Sequence, residues 1–62
     1  MVGKYEYWES MKNRQWYWHL KAINGRVVAQ SEGYVTKRSC LNGIKAAWNA
    51  SITTHPLDAI EV

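Results

Sequence analysis

The chain has 62 residues, a net charge of +3, one cysteine, two histidines and eight aromatics, four Trp and four Tyr with no Phe. That length holds one domain, which buries only about 60% of the surface its unfolded form exposes. Cys40 has no second cysteine for an internal disulfide, and one cysteine with the distant His19 and His55 does not make a structural zinc site of about four ligands.

The first element runs from Lys4 to Ser10, where strand-forming aromatics alternate imperfectly with polar residues. Tyr7 and Trp8 compete for the inward face, so the pattern names a strand without orienting it. Polar Met11 to Arg14, centred on Asn13, reads as the turn that follows.

The clearest pattern comes next. Trp16, Trp18, Leu20 and Ala22 occupy alternate positions, with Tyr17, His19 and Lys21 between them. Period two places the two sets on opposite faces of a strand. Asn24-Gly25 is a strong signal for a two-residue type I′ hairpin turn, which needs positive φ at both residues. Such a turn pairs Ile23 with Arg26, Ala22 with Val27 and Leu20 with Ala29. The expected apolar face is then Trp16, Trp18, Leu20, Ala22, Val27 and Ala29. The mixed face is Tyr17, His19, Lys21, Ile23, Arg26, Val28 and Gln30.

Ser31 to Tyr34 breaks the alternation and leads into a helix with Thr36 as its N-cap, where the hydroxyl accepts an early N–H. Cys40, Ile44, Ala47 and Trp48, with Leu41 at the margin, fall on one helical stripe, while Arg38, Asn42, Lys45 and Asn49 face away. Gly43 within a helix costs roughly 1 kcal/mol relative to Ala, and its place beside the stripe predicts a close approach to the sheet or to a Trp ring. The helix should end near Asn49. Pro56 excludes a continuous helix through the remainder, so residues 50–62 form a tail readable as a short strand, an arm across a partner, or a loose segment. The expected architecture is α+β: a three-stranded antiparallel sheet with one helix on the Trp16/Trp18/Leu20 face, a single domain over 1–62 with its unit at 4–49.

Several residues carry a chemical reading beside a structural one. Cys40 has Lys37 and Arg38 nearby, which would favour a thiolate, yet it lies on the apolar stripe, where free cysteine is normally packed. His19 suits a phosphate contact or proton transfer, and equally a solvated strand or a subunit contact. Glu6, Glu9, Glu32, Asp58 and Glu61 show no pairing, and neither Gly25 nor Gly33 belongs to a phosphate loop. Asn49-Ala50-Ser51 matches a glycosylation pattern by chance. No catalytic residue, cofactor site or metal site is expected. No run approaches the ~20 apolar residues of a membrane span, and Lys4, Glu6 and Glu9 interrupt any signal-peptide core. With the unpaired cysteine, a cytoplasmic protein is expected.

Trp16-x-Trp18-x-Leu20-x-Ala22-x-Asn24-Gly25, then Val28-Ala29-x-Ser31-x-Gly33-Tyr34, then Lys37-x-Ser39-Cys40-x-Asn42-Gly43-Ile44, resembles the bacterial and archaeal family called domain of unknown function 1508, or uncharacterised protein family 0339. The resemblance runs from about Tyr5 to Asn49. It implies a ββ(β)α unit occurring in tandem or as a single copy that dimerises, and it brings no catalytic residues.

A core below roughly 70–80 residues rarely supplies more than about 3–5 kcal/mol, so the physical argument also points to a partner subunit. The first functional expectation is a non-catalytic homodimer that uses the mixed face (Tyr17, His19, Lys21, Arg26, Val28) as its dimer contact or ligand surface and binds another protein or a small ligand. The alternative is an electrostatic nucleic-acid binder using Tyr17, Lys21 and Arg26, with Arg14. A thiol activity at Cys40 stands third.

Overall fold

The computed structural model describes residues 3–50 and 57–62. Strand β1 (Lys4–Glu9), β2 (Trp16–Lys21) and β3 (Val27–Gln30) precede helix α1 (Lys37–Ala50) and strand β4 (Ala59–Glu61). The sheet order is β3-β2-β1-β4. The fold is α+β as expected, with the sheet one strand larger and mixed. β1 and β2 are antiparallel, and the end of the tail adds β4 parallel to β1, Tyr5 opposite Ala59 and Tyr7 opposite Glu61. The tail residues around His55 and Pro56 lie outside the described ones.

Two connections set the registers. Between β1 and β2, Ser10 N–H donates to the Gln15 carbonyl and Arg14 N–H to the Ser10 carbonyl, both at 2.8 Å. Asn13 Oδ1 accepts from Gln15 N–H at 3.0 Å. Arg14 sits in the left-handed region at φ 62°, which closes the turn and fixes Tyr7 opposite Trp18 and Trp8 opposite Tyr17. That settles the competition in β1. Tyr5 and Tyr7 face the helix, and Trp8 faces away.

The β2–β3 hairpin departs from the two-residue turn. Gly25 has positive φ at 87°, whereas Asn24 does not. Gly25 N–H donates to the Ala22 carbonyl at 2.9 Å, and Ala22 N–H to the Arg26 carbonyl at 2.8 Å. The loop is therefore three residues, Ile23-Asn24-Gly25, with only glycine in the left-handed region, a solution that also matches strand twist. Ala22 faces Arg26 instead of Val27, and Lys21 faces Val27. A bulge that leaves Val28 unpaired then restores Leu20 opposite Ala29. The Ile23–Arg26 and Ala22–Val27 pairs are thus corrected, while Leu20–Ala29 stands.

The helix begins where Thr36 predicts: Ser39 N–H donates to Thr36 Oγ1 at 3.1 Å. Its first turn holds no acidic residue, and Lys37 stands at the N-terminus where the macrodipole disfavours a cation. The compensation is tertiary. Lys37 Nζ lies 2.8 Å from Glu61 on β4 and over the Tyr7 and Trp16 rings, at 5.9 and 5.7 Å from their centroids.

Tyr5, Trp18, Cys40 and Ile44 form the buried core, with Tyr7, Trp16, Leu20, Tyr34, Leu41, Ala47, Trp48, Leu57 and Ala59 packed around it. Tyr5 and Trp18 meet edge to face at 5.4 Å. Ala22 is half-buried outside this cluster. Val27 and Ala29, expected in the core, are exposed with all of β3, because the helix packs on β2 and β1 and leaves the edge strand bare. The close approach at Gly43 is to Tyr34, whose Oη occupies the place a Cβ would take, rather than to a Trp ring.

Candidate functional site: the open face of the sheet

The face turned away from the helix is built in rows by the β1–β2 register. Trp8 stands opposite Tyr17, Glu6 opposite His19, and Lys4 opposite Lys21. Paired residues of an antiparallel ladder share a face, so these six side chains form three successive layers: aromatic, acid with imidazole, and two ammonium groups.

In the aromatic row the Trp8 and Tyr17 rings stack at 6.3 Å with 23° between planes, and the His19 ring lies 4.9 Å from Trp8. Asn13 Nδ2 donates to Tyr17 Oη at 2.8 Å, so the β1–β2 turn holds the edge of this platform. In the middle row, His19 Nε2 and Glu6 Oε1 are 2.7 Å apart. An ionised carboxylate only accepts, so Nε2 carries the proton. Lys21 Nζ lies 3.6 Å from the same Glu6 oxygen. The His19 hydrogen bond, aided by the charges of Lys21 and His19 and partly opposed by burial, holds the Glu6 carboxyl below its ordinary range.

At the ammonium row an open groove of about 370 Å³ is lined by Gly3, Lys4, Glu6, Lys21, Ile23 and Asp58, among others. Gly3 is required there, since any Cβ would collide with the Lys21 carbonyl.

Of the expected face residues, the structure gathers Tyr17, His19 and Lys21. Arg26 leaves the group because it stands opposite Ala22, on the helix side of the register. Val28 is the extra residue of the bulge and is 61% exposed. Val27, opposite Lys21, joins the mixed face instead. The sequence places Trp8, Glu6 and Lys4 on the first strand without assigning them to this face. Their alternation was legible, but the turn that sets their partners depends on Arg14 adopting positive φ, which no arginine announces.

Cys40 has no exposed surface, and burial pushes its thiol up, which disfavours the thiolate a nucleophile needs. Among the described residues no three His, Cys, Asp or Glu side chains gather as a metal site. No helix among the described residues is long and apolar enough to cross a membrane.

Fold and face together define a small α+β domain, a helix on one side of a mixed four-stranded sheet and a polar-aromatic face on the other. The profile of the domain of unknown function (DUF1508) matches residues 12–55, and the chain belongs to that family. It is 44% identical over 45 residues to the UPF0339 protein plu2779 of Photorhabdus laumondii, covering 73% of this chain and 39% of that protein. A UPF0339 protein of Treponema denticola is 41% identical over 46 residues, 74% of this chain and 78% of the relative. The UPF0339 protein YegP of Yersinia pestis is 40% identical over 50 residues, 81% of this chain and 44% of that protein. The chain thus spans less than half the length of two of these relatives. No solved structure matches it.

Proposed function

We propose that the chain is a non-catalytic homodimeric interaction module of the bacterial cytoplasm, joined through an open edge of its sheet. The observation that carries this reading is the distribution of apolar surface. Among the described residues only Tyr5, Trp18, Cys40 and Ile44 are buried, whereas Val27 and Val28 on β3, Ile60 on β4 and Val62 just after it stay exposed. Val27, Val28 and Ile60 lie on the two outer strands, with Val62 directly after β4, and on each outer strand one row of backbone N–H and C=O groups lacks a ladder partner among the described residues. Neither outer strand carries lysine or proline, the residues that usually guard such edges. A second copy supplies the same kind of edge, and a two-fold axis makes the contact self-complementary. Two of the relatives extend far enough beyond the matched stretch to hold a second unit in one chain, which would build the same association covalently. The buried thiol of Cys40 and the internal neutralisation of Glu6 by His19 and Lys21 favour binding over catalysis.

Sedimentation equilibrium from 1 to 100 µM tests it. Twice the 7.2 kDa chain mass is expected, and a monomer across the whole range would refute the reading. Val27→Lys with Val28→Lys, against Ile60→Lys with Val62→Lys, identifies the edge, because a lysine pair disrupts only the edge in use.

A further inference from the structure

Lys4 and Lys21 stand directly opposite each other on the open face, an arrangement that disfavours folding because like charges across a ladder repel. Glu6 relieves only one of them, lying 3.6 Å from Lys21. The same Glu6 oxygen is also engaged by His19, at 2.7 Å. The groove opens at this lysine row, with Asp58 also on its lining. Four residues along β1 from Lys4 is Trp8, stacked on Tyr17, so the aromatic and lysine rows are about 13 Å apart at ~3.3 Å per residue. Lys12 and exposed Arg14 lie in the turn beyond the aromatic row.

A face that offers aromatic rings at one level and, a fixed distance away, two ammonium groups of which only Lys21 has a carboxylate beside it among the described residues complements a ligand with flat rings and spaced anions. We propose that the open face binds short single-stranded nucleic acid, with bases on Trp8 and Tyr17 and a backbone phosphate in the Lys4/Lys21 groove. Duplexes keep their bases stacked on one another and have no free ring face to offer, so the aromatic row discriminates against them. The middle row supplies His19 and Glu6 at the level of the intervening sugar. The site lies on the sheet face and not on the edges, so it stands independently of the dimer reading.

Tryptophan fluorescence of the full chain, titrated with mixed-sequence single-stranded and duplex DNA at 50 and 200 mM salt, tests this. Saturable quenching by single strands is expected, in or below the ~10⁻⁴–10⁻⁶ M range of non-specific binding. Lys4→Gln with Lys21→Gln should lower the salt slope by about 0.7, the value for one phosphate contact on a single strand. Trp8→Leu should weaken binding about tenfold or more, in line with the loss of one stacked base. Circular dichroism confirms that each variant is folded, and should Trp8→Leu not fold, the lysine variant decides alone. Absence of quenching at 100 µM protein and 50 mM salt overturns the proposal. So does equal affinity for duplex, or an equal slope change from Arg38→Gln with Lys45→Gln on the helix. Parallel sedimentation reports whether the dimer persists, so either reading can fail alone.

Discussion

Replacing Gly43 with alanine sets local propensity against packing, and the structure decides the sign. In an exposed helix interior the change stabilises by about 1 kcal/mol. Here the new Cβ would fall on Tyr34 Oη and within 2.7 Å of Tyr34 Cζ. The ring has little freedom to retreat. Tyr34 exchanges backbone hydrogen bonds with Trp16 at 2.7 and 2.8 Å, and it packs against the core. Overpacking of this kind costs about 1–3 kcal/mol, so Gly43→Ala alone should be neutral to destabilising by ~2 kcal/mol. In a Tyr34→Ala background the obstruction is gone and the same change should stabilise by about 1 kcal/mol. The assay is urea denaturation followed by circular dichroism at 222 nm on all four proteins, at one fixed protein concentration because any self-association would make stability concentration-dependent. Stabilisation of the parent by Gly43→Ala as large as in the Tyr34→Ala background would refute the wedged geometry.

Ile44→Ala should cost about 2–5 kcal/mol and Ile44→Val about 0.5–1.5, against less than about 0.5 for the exposed Val35→Ala; urea midpoints rank them. Cys40 should resist alkylation by iodoacetamide in the native protein and react within minutes in 8 M urea, read by mass spectrometry; rapid native labelling would contradict its burial. Gly25→Ala meets no neighbour within 4 Å, so its cost is that of the backbone at φ 87° alone, about 1–2 kcal/mol. Arg14→Gly should instead gain up to about 1 kcal/mol by relieving a non-glycine positive φ; thermal melts of the pair give opposite shifts. Because the folded state depresses the Glu6 carboxyl from its ordinary 4.5, its contribution is present above that value and is lost as pH falls through the lower folded one. Melting temperature should drop on acidification from pH 5 to 3, and Glu6→Gln should flatten that drop.

Much of this protein was determined locally. The alternation from Trp16 to Ala22 specifies a two-faced strand, because period two leaves no other way to segregate its apolar side chains. Thr36 and the stripe of Cys40 and Ile44 likewise specify where the helix starts and which side it buries, since capping and 3.6-residue periodicity act within a few residues. Other features depend on how separate segments meet. Trp8 and Tyr7 are equivalent as sequence; only the β1–β2 register, set by Arg14 at φ 62°, sends one to each face. Asn24-Gly25 marks a turn, but the number of loop residues is a tertiary choice, and that choice carried Arg26 off the mixed face and Val27 onto it. Lys37 is unfavourable at a helix N-terminus until Glu61 and the Tyr7 and Trp16 rings are brought to it. The Glu6–His19–Lys21 row exists only once the strands are side by side, because hydrogen bonds and like-charge repulsion act over a few ångströms in space and not along the chain.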